Sequence, residues 1–135
     1  MGAQEPMIAV DTNILVRYVT RDDPVQEKLA RQLLEQNEIH VSLAVLLETE
    51  WVLRSVYKLS RATIDRIFTV LLETERTMVE REALVGSALQ AFRAGLDFAD
   101  AVHLAGCPVE AFATFDADLA KQARAHFQTP EVISP

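Results

Sequence analysis

At 135 residues the chain fits one domain, long enough to bury about two-thirds of its unfolded surface and form a core without staples. Half its residues are apolar and 24% charged, which excludes a disordered chain. Thirteen basic against twenty acidic residues leave a formal net charge of −7, which argues against binding nucleic acid through overall charge.

That exclusion has a gap: four acids holding two divalent cations would raise the charge from −7 to −3 and reverse the field at the site itself. The one cysteine, Cys107, cannot close an internal disulfide, which favours a reducing compartment. Residues 1–6 read as a leader that lacks the basic start of a signal peptide. No apolar run approaches the roughly 20 residues of a membrane span, so the expected location is the cytoplasm, with no membrane partner.

In chain order, Met7 to Val10 reads as a short buried strand that delivers Asp11 to its C-terminal end, followed by a helix from Ile14 to Val19. Asp23 as N-cap and Pro24 at the first position open a helix to Gln36, with Val25, Leu29, Ala30, Leu33 and Leu34 at helical spacing. Ile39 to Val41 is a brief strand, on which His40 reads as a residue of a polar face. Ser42 then caps a helix from Leu43 to Tyr57.

Ser60 caps a fourth helix whose stripe is Ile64, Ile67, Phe68, Leu71 and Leu72, and Thr77 to Val79 is a third strand. Glu82 to Ala94 is helical and stops at Gly95. Asp97 caps a helix through Ala105, Ala111 to Phe115 is a strand, Leu119 to Phe127 is a helix capped by Asp118, and Glu131 to Ile133 follows. Strands alternating with helices imply parallel crossovers and an α/β class: a three-layer α/β/α sandwich with a central, mainly parallel sheet of four to five strands in a single domain.

Four acids at comparable addresses carry the chemistry. Asp11 and Asp116 each follow an apolar strand at its C-terminal end, where ligands of open α/β sheets gather, although Asp11 also suits an N-cap or turn. Glu48 has Ala44, Trp51 and Val52 at helical neighbour positions, which reads as a carboxylate on an apolar face where ionisation is costly without a cation. Glu50, by contrast, has Arg54 four residues on and reads as an exposed ion pair.

Asp100 lies in the first turn of its helix, three residues after Asp97, where an acid also stabilises the helix dipole. In a parallel sheet the four would converge on one cleft, and carboxylates with water are what Mg²⁺ or Mn²⁺ prefers. Such a site suits a metal-activated water attacking a phosphodiester.

Read in order, Asp11-Thr12-Asn13, Leu46-Leu47-Glu48 before Trp51-Val52-Leu53, Asp97-Phe98-Ala99-Asp100-Ala101 and Thr114-Phe115-Asp116 resemble the motifs of PIN-domain ribonucleases, most closely the VapC toxins of bacterial toxin–antitoxin pairs. The likeness runs from about Met7 to Phe127. The resemblance implies a Mg²⁺-dependent endoribonuclease, with Mn²⁺ as a substitute, whose metal-binding and catalytic acids are Asp11, Glu48, Asp100 and Asp116. Asn13, Thr114 and Asp118 would be supporting polar residues.

The resemblance also implies a homodimer, an RNA substrate and a cognate antitoxin that covers the cleft. Two departures are visible: the stretch from Ala105 to Ala113 is shorter than usual, and Leu119 stands where an aromatic residue is common. Candidate RNA contacts are Arg17, Arg21, Arg54, Lys58 and Arg61. The rival readings are an acidic α/β phosphatase using Asp116-Ala117-Asp118, and a Mg-binding receiver-like signalling domain. The first places its motif too late in the chain, and the second lacks a lysine on a late strand.

Overall fold

The computed structural model describes residues 6–135, so all of the expected leader except Pro6 lies outside the described residues. It divides into two compact units, Met1–Glu82 and Ala83–Pro135. The elements of the first are β1 (Met7–Ala9), α1 (Thr12–Thr20), α2 (Pro24–Gln36), β2 (Glu38–Val41), α3 (Leu43–Ser55), α4 (Arg61–Glu73) and β3 (Thr77–Val79). The second contains most of α5 (Glu82–Arg93), then α6 (Phe98–Ala105), β4 (Ala111–Ala113), α7 (Ala117–His126) and β5 (Glu131–Ile133).

All strand pairings are parallel, as the alternating pattern requires, and the fold is α/β. Five strands, within the four to five expected, are present among the described residues, and their hydrogen bonds group them into two sheets. One has the order β1-β2-β3 and the other pairs β4 with β5. In the first sheet Ile8 is opposite Ile39 and Val41 opposite Val79; in the second Phe112 is opposite Val132.

Only β2 is flanked on both sides in the first sheet, and its Ile39 and Val41 are fully buried. β1 was expected to be buried and is not. As an edge strand it leaves Met7 44% exposed, and burial begins only at Val10.

The first unit's core gathers Leu15 and Val16 of α1, Ala30 and Leu34 of α2, Leu46 and Leu53 of α3, and Ile64 and Phe68 of α4. The stripe on α2 is narrower than its apolar residues suggest, since Val25 and Leu29 face solvent. Arg17, Asp22, Gln26 and Tyr57 form a surface network, in which Tyr57 donates to Asp22 Oδ2 at 2.7 Å and Arg17 Nε donates to Gln26 Oε1 at 2.8 Å. The Tyr57 hydrogen bond, with those from Thr20 and Arg17, holds the Asp22 carboxyl below its usual range.

In the second unit, Val85, Ala88, Leu89 and Phe92 form the buried stripe of α5. Phe92 meets Phe98 edge-on, with ring centroids 5.7 Å apart and planes at 81°. Two glycines have physical reasons here. Gly95 takes φ +119°, which strains any side chain, and a Cβ on Gly106 would lie 2.7 Å from the Leu84 side chain that packs over the end of α6.

The face that α3 buries differs from expectation. Leu46, Thr49, Glu50 and Leu53 are its buried residues, the i, i+3, i+4, i+7 set, so Glu50 points inward at 2% exposure while Glu48 faces solvent beside exposed Ala44 and Trp51. The Glu50 carboxylate is met by Arg54, whose Nε donates at 2.8 Å and whose second guanidinium nitrogen donates at 3.4 Å. A buried carboxylate without its cation costs far more than a surface pair is worth. Arg54→Ala should therefore lower stability by about 1–3 kcal/mol in urea unfolding, whereas a change near zero would mean that water reaches Glu50.

Candidate active site

Two of the candidate acids, Asp11 and Asp116, and their neighbour in the sequence pattern Asp97 sit where a strand or loop turns into a helix, and each is bonded to that helix's backbone. Asp11 is the N-cap of α1 and accepts from the Ile14 N–H at 3.2 Å. Asp97 caps α6 by accepting from the Asp100 N–H at 3.3 Å, and Asp116 caps α7 by accepting from the Leu119 N–H at 3.0 Å. The expected helix starts at Ile14 and Leu119 thus move back to Thr12 and Ala117, because the acid itself supplies the cap. Asp118 is consequently not the cap of α7. It lies exposed in that helix's first turn.

Thr114 makes the turn before Asp116: its backbone N–H donates to the Ile133 carbonyl at 3.0 Å, and its Oγ1 accepts from the Asp116 N–H at 3.0 Å. β4 stops at Ala113, two residues earlier than expected, so Phe115 belongs to the turn. Asn13 is exposed in the first turn of α1.

Asp100 is half-buried, and its carboxyl is pushed above its usual range. Burial is the largest cause, the negative charges of Asp97 and Asp116 add to it, and His103 one turn on opposes them. Asp97, read from sequence as no more than a cap, is therefore part of the electrostatic environment of Asp100. The signal available for this was the three-residue spacing, which puts both at the start of one helix.

In the first unit, Glu48 is exposed and has no hydrogen bond or ion pair among the described residues, so the burial argument for it does not hold. Its exposure leaves both carboxylate oxygens accessible. Of the candidate RNA contacts, Arg17 is paired with Asp22 and Arg54 with Glu50 within the fold. Arg21 and Lys58 take left-handed backbone conformations at φ 57° and 56° where helices end.

The donor set fits a hard divalent cation, being all carboxylate oxygen with no thiol or imidazole required. The structure brings Asp97 and Asp116 each into electrostatic reach of Asp100. It does not assemble a closed ligand shell: among the described residues no group of three or more His, Cys, Asp or Glu side chains is placed to enclose a metal ion. Among them, too, no helix is long and apolar enough to cross a membrane.

A raised folded pKa means that protonated Asp100 favours folding. That contribution is full below the ordinary carboxylate value of 3.8 and is lost as pH rises through the folded pKa. At neutral pH without metal, Asp100→Asn should therefore melt above wild type, and the gap should close on acidification through that raised pKa. Thermal melts in EDTA across pH check this; a mutant that melts lower at pH 7 would mean that Asp100 mainly serves the helix dipole.

Compared with known proteins, residues 8–125 match the family model described as PIN domain. No curated protein and no solved structure matches the chain.

Proposed function

The chain belongs to the PIN-domain family of metal-dependent nucleases, and from that premise we propose that it is a Mg²⁺-dependent endoribonuclease acting as the toxin of a VapC-type toxin–antitoxin pair. The observation that carries the reading is the crowding at Asp100. A half-buried carboxylate raised by burial and by two neighbouring acids is what a cation site looks like before its cation neutralises it. Asp11, Glu48, Asp100 and Asp116 would hold Mg²⁺, with Mn²⁺ as a substitute, and the cation when bound supplies the charge that activates water and offsets negative charge building on the phosphate.

The chain's own residues do the positioning. The caps fix Asp11 and Asp116 at helix starts through one oxygen each, leaving the other oxygen for a ligand. Thr114 holds the turn before Asp116, and Asn13 and Asp118 would serve as polar support. Replacing any of the four acids by its amide should lower Mg²⁺-dependent cleavage of an RNA oligomer by about 100-fold or more. Saturating Mn²⁺, at about a hundred times its dissociation constant, should stabilise wild type by roughly 2.7 kcal/mol. Full cleavage by Asp100→Asn would remove that residue from the site.

The antitoxin's seat is proposed in the first unit. An apolar groove of about 450 Å³ lies against α1, α2, α3, α4 and β3, with Leu15, Val19, Leu34, Ile67 and Leu71 among its lining. Its size and lining suit an amphipathic segment of a partner protein.

The working form is read as a cytoplasmic homodimer. Expressing the chain alone in bacteria should arrest growth and leave discrete cleavage sites in total RNA, and sedimentation should give twice 15.1 kDa. Unchanged RNA would overturn the toxin reading, and a sedimenting mass of 15.1 kDa would overturn the dimer.

A further inference from the structure

In the second unit one exposed side chain is used neither by the fold nor by the nuclease reading. Phe115 is 90% exposed, more than any other large hydrophobic side chain among the described residues, and its burial is forgone. Its backbone is nevertheless held. On one side the Thr114 N–H is bonded to Ile133; on the other the Asp116 N–H is bonded to Thr114 Oγ1, and Asp116 is bonded in turn to Leu119. The ring thus stands in water on a braced turn, one residue before a candidate metal-binding acid.

A protein-binding hot spot needs surrounding contacts that exclude water, and the residues that follow Phe115 are the exposed Asp116, Ala117 and Asp118. Stacking a nucleobase needs only one accessible ring face, and every base presents such a face.

We propose that Phe115 is the stacking platform for an unpaired base of the RNA substrate, setting the register of the strand against Asp116. The proposal rests on the nuclease reading, because phosphates approach these acids only where a cation has offset their charge. It narrows the substrate to single-stranded segments, since a paired base is stacked within its own helix and is not free to meet the ring.

The test uses the full chain carrying Asp11→Asn, which keeps an N-cap on α1 and slows cleavage while residues 114–116 stay unchanged. Fluorescence anisotropy follows binding of a labelled single-stranded RNA oligomer in Mg²⁺, intact or with an abasic site at each position in turn. Adding Phe115→Ala should weaken binding about 10-fold or more, and Phe115→Trp should preserve it. An abasic site at one position should weaken binding to the Phe115 protein by a similar factor and have no further effect on the Phe115→Ala protein.

Equal affinity with and without the ring, or no sensitive position in the scan, would overturn the proposal. So would unchanged RNA affinity accompanied by a changed sedimenting mass, which would make the ring a contact between copies of the chain. Failure of the nuclease reading appears separately, as no cleavage of the same oligomer by the wild-type chain. Ring-dependent binding without cleavage still supports stacking, and absence of both binding and cleavage overturns it.

Discussion

Strands of three or four residues can pair in parallel only if the chain returns through a crossover, and here each parallel strand that leads onward does so through a helix that starts almost at once. β1 ends at Ala9 and α1 begins at Thr12; β2 ends at Val41 and α3 begins at Leu43; β4 ends at Ala113 and α7 begins at Ala117. Within so few residues the first N–H groups of the helix must find acceptors, and the side chain at the junction supplies one. The junction residues are Asp11, Ser42 and Asp116, so the demand for a cap and the placement of two candidate ligands are a single structural event.

This removes the opposition between a structural and a chemical reading of those acids. A carboxylate has two oxygens and about four acceptor sites, and capping uses one of them. The cap also fixes the rotamer of the acid, so a ligand oxygen is held in place by the backbone of the element it opens. Asparagine caps nearly as well as aspartate, which is why the amide variants separate the two roles: the helix start survives and the charge does not.

Much of the fold could be read from the sequence because the signals were local. Asp23-Pro24, Ser42 and Ser60 mark helix starts by their own hydrogen-bonding chemistry, and all three cap as expected. What escaped depended on which face of an element meets the rest of the chain. On α3, Glu48 is read from Ala44, Trp51 and Val52, but the first two of these face solvent. Glu50 has Leu46 four residues before it and Leu53 three after, each almost fully buried, and that pair of neighbours was the better guide. The i, i+4 arginine was visible, yet its consequence was reversed: Arg54 makes a buried acid tolerable rather than decorating an exposed one. Strand pairing was likewise out of reach, because three-residue strands such as β1 and β4 carry too short a pattern to say which neighbours they take.

The candidate site shows the same division. The positions of Asp11 and Asp116 just after short strands, and of Asp100 in a first helical turn, follow from residue type and spacing, whereas the electrostatics of Asp100 follow from burial, which no spacing gives. Asp100 illustrates the difference: the largest cause of its raised pKa is desolvation, with Asp97 and Asp116 secondary. A first-turn acid placed only for the helix dipole gains from being ionised, and desolvation works against that gain. An acid kept half-buried beside two others is a local loss of stability in the metal-free fold, and such a loss is what a cation bound to the folded state would recover.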